Sequence, residues 1–198
     1  MTQIVWDGRF LVADRKCFRK TTPFSAQKIR IQYNTNYTQA FAFAGTYEEC
    51  HIAEKIMLME DNAELVEQAK SILVEPATNW QGLCIEKDHH NPVRLFLCNY
   101  LGMREELPLL TPFAVGALAD EIIASYRTWE ACAKNIGVPA YHLFVPAEER
   151  TLDEFRITQR RAQALVNFLR SVLKGTYFDQ EGYLFDVYDS ITGEVLCL

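Results

Sequence analysis

The chain has 198 residues, of which 49% are hydrophobic and 23% are charged, and its formal net charge is −6. This composition predicts a single globular domain over residues 1–198 and excludes a largely disordered chain. The acidic balance, without a long run of Lys or Arg, argues against a nucleic-acid partner, and no apolar run approaches the length of a membrane span.

The cysteines are scattered along the chain without the paired spacing of a zinc site or a disulfide framework. They are Cys17, Cys50, Cys84, Cys98, Cys132 and Cys197. We therefore expect free thiols in a reducing cytoplasm, no metal ion and no leader segment in the first twenty residues. His89-His90 could ligate a metal, but adjacent histidines point to opposite sides of a strand, which favours an exposed turn. Cys17 is either a reactive thiol or a buried, idle one.

Short runs of alternating apolar residues predict strands in the first part of the chain. The predicted strands are 2–6, 9–14, 28–33 and 39–44. Asp7-Gly8 is typical of a tight hairpin turn between the first two strands, and Thr21-Thr22-Pro23 predicts a loop. These patterns indicate a β-rich amino-terminal region that begins with a hairpin.

Helical periodicity appears next, and then strands and helices come in blocks. Helices are predicted from Thr46 and over 63–73, strands at 82–86, 93–98 and 113–115, helices over 117–134 and 152–173, and strands at 183–188 and 194–197. Blocks of strands between blocks of helices predict two antiparallel sheets packed face to face, with a helix pair covering each outer face. The expected fold is therefore an α+β, four-layer αββα sandwich.

The amino terminus is a candidate nucleophile. Thr2 follows Met1, and a small second residue permits removal of the methionine. The α-amine of Thr2 would then lie beside its own hydroxyl and could act as the general base, since an α-amine titrates near pH 8. A threonine activated by its own amine is an established nucleophile design.

Such a site needs a cation that lowers the pKa of the hydroxyl, an acid that balances the cation, and a backbone N–H for the oxyanion. Asp14 ends the second predicted strand, Lys28 begins the third, and Gly45 follows the fourth. Each of these residues alone also fits a plain strand end or turn. Their order on successive strand ends indicates a site.

These segments together form a recognisable pattern. In order they are Thr2-Gln3-Ile4-Val5, Asp7-Gly8, Ala13-Asp14-Arg15, Gln27-Lys28-Ile29-Arg30 and Phe43-Ala44-Gly45-Thr46. The sequence resembles the N-terminal nucleophile (Ntn) hydrolases, closest to proteasome β-subunits, their bacterial ring-protease relatives and small phage-borne versions. The resemblance is specific over residues 2 to about 60 and architectural afterwards. The αββα sandwich is the fold that this resemblance implies.

The resemblance implies a role for each matching residue. Thr2 would be nucleophile and base, Lys28 the cation, Asp14 its balancing acid and the N–H of Gly45 the oxyanion donor. The implied reaction is hydrolysis of an amide bond in a peptide or protein substrate through an ester on Thr2, without metal or organic cofactor. Self-assembly into a homo-oligomer is also implied.

Two supporting positions depart from the family. The family places a serine before the third helix, where this chain has Ala117, and a second acid and serine after the fourth helix. Asp179 matches the acid, while Gly182 stands near the serine position. Two hypotheses follow: a cytoplasmic threonine hydrolase, or a binding or structural protein, such as a phage-encoded one, that keeps the fold without catalysis.

Overall fold

The computed structural model describes residues 2–19, 21–33, 37–45, 81–88, 92–99, 104–144 and 154–198. The strands in these ranges are β1 (Ile4–Trp6), β2 (Phe10–Asp14), β3 (Lys16–Arg19), β4 (Thr22–Ser25), β5 (Arg30–Tyr33), β6 (Tyr37–Ala44), β7 (Gln81–Asp88), β8 (Arg94–Asn99), β9 (Arg104–Leu107), β10 (Phe113–Val115), β11 (Phe185–Asp189) and β12 (Val195–Cys197). The helices are α1 (Ala119–Asn135) and α2 (Glu154–Leu173), with a 3-10 helix at Ala140–Leu143.

The strands form two five-stranded sheets and a separate hairpin. The first sheet has the order β10-β1-β2-β11-β12, the second has the order β5-β6-β7-β8-β9, and β3 pairs with β4. Every described strand pair is antiparallel. The α+β class and the antiparallel sheets predicted from the blocks of strands are confirmed.

The first sheet separates two hydrophobic cores. Side chains alternate between the faces of a strand, so neighbouring residues of β1 enter different cores. Val5 belongs to a cluster with Ile122 of α1 and Leu169 of α2. Ile4 belongs to a second cluster, with Leu83 and other residues of the second sheet. One face of the first sheet therefore packs on the helices and the other on the second sheet.

The fourth layer stays a prediction. The helix pair expected from Thr46 to residue 73, over the outer face of the second sheet, lies outside the described residues, as do Cys50 and His89-His90. No described helix combines the length and the apolar character needed to span a membrane.

Four local predictions were wrong, and one of them is the absence of a strand at β3, Lys16–Arg19. The loop at Thr21-Thr22-Pro23 is partly strand, because β4 pairs with β3 and Pro23 lies opposite Phe18 in a two-stranded hairpin, where a missing N–H is tolerated. The strand β9 was missed because its charged sequence, REEL, does not alternate. The third strand begins at Arg30 rather than Lys28, since the amides of residues 28 and 29 bond to a side chain instead of a strand.

Candidate active site

The β1–β2 hairpin brings Thr2 close to Asp14. The register pairs Ile4 with Ala13, so the residue before β1 faces the end of β2. The Gln3 amide donates to Asp14 Oδ2, and the Asp14 amide donates to the Gln3 carbonyl at 3.2 Å. Thr2 itself is 5% exposed. The turn at Asp7-Gly8 therefore places the predicted nucleophile and the predicted acid on neighbouring strand ends.

Lys28 joins Asp14 in a buried ion pair. Its Nζ lies 2.9 Å from Asp14 Oδ1, with side-chain exposures of 8% for the lysine and 0% for the aspartate. The ammonium also donates to the Lys16 carbonyl at 2.7 Å, and the Lys16 amide donates to Asp14 Oδ1 at 3.1 Å. Asp14 therefore holds the ammonium, the Lys16 amide and the Gln3 amide with one carboxylate.

The proposed role of Lys28 also requires its ammonium to act on the Thr2 hydroxyl. The hydrogen bonds described for the Lys28 ammonium run to Asp14 and Lys16. Asp14 accepts a hydrogen bond from the amide of Gln3, the residue that follows Thr2. The role of Lys28 toward the Thr2 hydroxyl stays a prediction.

Asp186 is a member of this cluster that the sequence analysis missed. It lies on β11, is 1% exposed, and its Oδ2 accepts from the amides of Lys28 at 2.6 Å and Ile29 at 3.3 Å. Its Oδ1 lies 3.3 Å from Nε of Arg15. The one local signal was an acid between two apolar residues, Phe185 and Val187, on a fully buried strand.

Solved structures share this architecture, although no protein-family model and no curated protein matches the sequence. Anbu (ancestral beta-subunit) from Yersinia bercovieri aligns with all of this chain and 86% of its own, at a TM-score of 0.61 and 13% identity. Anbu from Pseudomonas aeruginosa, solved as a helical assembly, aligns over the same shares at a TM-score of 0.62 and 8% identity. The chain has the Ntn-hydrolase fold of the proteasome β-subunit type. At these identities the likeness concerns the fold.

In this Ntn fold, the predicted oxyanion donor follows an interior strand of the second sheet. β6 ends at Ala44, which pairs with Gln81 of β7, and Gly45 follows as a half-buried bend. The residues after Gly45 lie outside the described part of the chain. The oxyanion role of its N–H therefore stays a prediction.

The turn before α1 packs directly on the amino-terminal strand of the Ntn fold. Gly116 has φ +134°, and a Cβ built on it would lie 2.5 Å from the Thr2 carbonyl oxygen and would also meet the Gln3 side chain. The Leu118 amide donates to Gln3 Oε1 at 3.2 Å. Ala117 lies exposed in this turn and offers no hydroxyl. The turn is in place, but the polar group that the resemblance implies is missing.

Asp179 organises its own loop rather than the ion pair. Its carboxylate accepts from the amides of Gly175 at 2.9 Å and Glu181 at 3.0 Å, and the Gly175 hydrogen bond is the main reason that the pKa of Asp179 is lowered. Its backbone carbonyl accepts from Lys16 Nζ at 2.5 Å. The described link between Asp179 and the site runs through Lys16, and a direct supporting role stays a prediction.

Cys17 lies beside the ion pair, on the strand that follows Asp14. Burial raises the pKa of the Cys17 thiol, and the positive charge of Lys28 offsets this only in part. Its thiolate is therefore scarce near neutral pH, which disfavours Cys17 as a nucleophile. Among the described residues, no group of three or more His, Cys, Asp or Glu side chains could hold a metal ion.

Proposed function

We propose that this protein is a threonine hydrolase that cleaves peptide or other amide bonds through an ester on Thr2. The observation that carries the proposal is the buried Lys28–Asp14 pair, hydrogen-bonded to the backbone beside Thr2. A buried charge pair is costly to desolvate and is weak evidence for stability alone. Its position next to Thr2, two residues before β1, supports a catalytic use.

The proposed reaction needs only groups of this chain and water. After removal of Met1, the α-amine of Thr2 takes the hydroxyl proton, and Oγ1 attacks the substrate carbonyl carbon. The positive charge of Lys28 favours the alkoxide, and the N–H of Gly45 donates to the oxyanion. The amine passes its proton to the leaving nitrogen, and water then cleaves the ester to release the acid and restore Thr2. No cofactor enters these steps.

The setting of the reaction is part of the proposal. One structural neighbour, Anbu from Pseudomonas aeruginosa, forms a helical assembly, which supports self-assembly of this chain into a homo-oligomer. Among the described residues, Cys17, Cys132 and Cys197 are free thiols, which fits a reducing cytoplasm. The proposed substrates include peptides and proteins, because their backbone carries the amide carbonyl that the site would attack.

Covalent trapping tests the proposal. Intact-mass measurement first establishes that Met1 is absent from the purified protein. An epoxyketone or β-lactone should then add once to the wild-type protein and to Thr111→Ala, which changes an exposed loop threonine. It should not add to Thr2→Ala. Retention of Met1, or equal addition to Thr2→Ala, would show that the proposed function is wrong.

A second candidate function is an Ntn-fold binding or structural protein without catalysis, such as a phage-encoded factor that docks on a host or virion partner. Ala117 and Gly182 favour it, because neither supplies a hydroxyl at the two supporting positions. This candidate predicts a folded protein that reacts with neither inhibitor, and retention of Met1 would also favour it.

A further inference from the structure

We infer that Asp186 is a positioning residue for Lys28. It holds the Lys28 backbone so that the ammonium lies where it can act on the Thr2 hydroxyl. The effect of Asp186 on catalysis rests on the proposed function, whereas its hold on the Lys28 backbone does not. Asp186 would touch neither substrate nor the reacting atoms. It would act through the backbone of Lys28.

Two buried carboxylates hold Lys28 from different elements. Asp14 of β2 binds the ammonium, with Nζ at 2.9 Å from Oδ1. Asp186 of β11 binds the backbone, and its Oδ2 accepts from the Lys28 amide at 2.6 Å. Asp14 therefore fixes the ammonium end of the Lys28 side chain, and Asp186 fixes the backbone from which the side chain extends.

The backbone at Lys28 needs this acceptor because it is not yet part of a sheet. β5 begins at Arg30, so the amides of Lys28 and Ile29 bond to Asp186 rather than to a strand. Both residues are buried. A buried amide without an acceptor is strongly disfavoured. Loss of the Asp186 carboxylate would therefore move this segment until other acceptors, or water, reach the two amides.

Arg15 balances the second carboxylate. Its Nε lies 3.3 Å from Asp186 Oδ1, and its backbone amide donates to the Leu184 carbonyl at 3.0 Å, just before β11. The site therefore contains two carboxylates and two cations. Arg15 therefore compensates Asp186, while Asp14 forms the ion pair with Lys28.

β11 provides a matched control at Asp189. This residue is also an aspartate, its side chain is 2% exposed like that of Asp186, and it pairs with an arginine, with Arg9 Nη2 2.7 Å from its Oδ2. Its carboxylate also accepts from the Ile191 amide at 2.9 Å and from the Thr192 amide. Asp189→Ala should lower the stability of the first sheet about as much as Asp186→Ala does. It should leave the hydrogen bonds of the Lys28 backbone intact.

The first experiment measures amide hydrogen exchange by NMR in the full-length wild-type, Asp186→Ala, Asp186→Asn and Asp189→Ala proteins. Exchange at Lys28 and Ile29, relative to Leu165 in the core of α2, should rise at least about tenfold in Asp186→Ala. Asp186→Asn keeps one oxygen acceptor and should recover part of the protection. Asp189→Ala should leave the ratio within about twofold of wild type. Equal ratios in the two alanine variants would overturn the inference, because Asp186 would then only stabilise the sheet.

The second experiment measures covalent addition at Thr2 with the same epoxyketone. Asp186→Ala should lower the maximal rate constant of addition about tenfold or more and leave half-saturation nearly unchanged, since the ammonium is displaced while the pocket remains. An unchanged rate constant would overturn the inference and leave the proposed function standing. If the proposed function is wrong, the epoxyketone does not add to the wild-type protein at all. Amide exchange then decides by itself whether Asp186 holds Lys28.

Discussion

The ammonium of Lys28 lies 2.9 Å from Asp14 Oδ1, in a site where the aspartate is fully buried and the lysine nearly so. The two residues come from different elements, the end of β2 and the segment before β5. Each is also bound to backbone groups, Asp14 to the Gln3 and Lys16 amides and Lys28 to the Lys16 carbonyl. The pair is therefore part of a network, so single substitutions should have large effects.

Removal of the Lys28 charge should destabilise the fold severely. Lys28→Met leaves the Asp14 carboxylate buried without its cation, and we expect a loss of about 3–5 kcal/mol in the free energy of unfolding. In the double variant Lys28→Met/Asp14→Asn, the asparagine is neutral and its oxygen can still accept from an amide. We expect about half of the loss to be recovered. Urea unfolding of the four members of this cycle measures both effects.

The exposed pair of Arg94 and Glu106 is the control for that cycle. Nη2 lies 2.7 Å from Oε2, but about half of each side chain is exposed. Arg94→Met should change stability little, because water replaces the lost partner. A loss as large as that of Lys28→Met would contradict the interpretation that burial makes the Lys28–Asp14 pair important.

Gly116 should not tolerate a side chain. A Cβ there would lie 2.5 Å from the Thr2 carbonyl oxygen, and its φ of +134° disfavours any other residue. We expect Gly116→Ala to cost at least about 2 kcal/mol and to lower covalent addition at Thr2. Thermal unfolding and intact-mass measurement test the two effects.

Gly137→Ala separates backbone strain from crowding at Gly116. Gly137 also has a positive φ, +71°, but nothing lies within 4 Å of a Cβ built on it. Gly137→Ala should lower the free energy of unfolding by about 1 kcal/mol, which is the effect of the backbone conformation alone. Equal losses for the two variants would show that the contact between Gly116 and Thr2 is unimportant.

Cys17 should react slowly with alkylating reagents at neutral pH. Burial raises the pKa of its thiol despite the nearby charge of Lys28, and the thiolate is the reactive form. We expect iodoacetamide at pH 7 to modify exposed Cys132 about tenfold faster than Cys17. The rate at Cys17 should rise with pH into the alkaline range. Peptide mass spectrometry reports both sites, and rapid labelling of Cys17 at pH 7 would contradict the prediction.

Ionisation of Asp7 should oppose folding. Burial raises the pKa of Asp7, and the hydrogen bonds from the Phe10 and Arg9 amides and the charge of Arg161 offset this only in part. The ionised form therefore costs free energy once the pH exceeds about 3.9, the value for an unfolded chain. Asp7→Asn should gain stability relative to wild type as the pH rises above about 4, up to the raised pKa. Urea unfolding at several pH values measures this difference, and a difference independent of pH would contradict the prediction.

Asp189→Asn should give the opposite pH dependence. Burial opposes ionisation of Asp189, but hydrogen bonds from Arg9 and the Ile191 amide outweigh it, so the pKa of this carboxyl is lowered. Its ionised form stabilises the fold above about pH 3.9, and that stability is lost as the pH falls through the lowered pKa. The variant should therefore be less stable than wild type at pH 7, and the gap should close in acid.

Elements with strong local patterns could be predicted from the sequence. The Asp7-Gly8 turn and the alternation around it predicted the β1–β2 hairpin, and hairpin register then places the ends of the two strands, near Thr2 and Asp14, opposite each other. β9 was missed because its residues, REEL, lack alternation, and β4 because Thr21-Thr22-Pro23 has the composition of a loop. Both errors come from short edge or hairpin strands, where pairing rather than side-chain pattern defines the strand.

The sequence by itself determined the class of fold, the hairpin that brings Thr2 to Asp14, and the residue types of a self-activated threonine. Short-range periodicity and turn chemistry are enough for these. Only the tertiary structure decided that Asp186 holds the backbone of Lys28 and that Gly116 packs against Thr2. The physical reason is that β2 pairs with β11, from the opposite end of the chain, and β1 pairs with β10. Such pairings depend on how the whole chain buries its two cores, which no local pattern records.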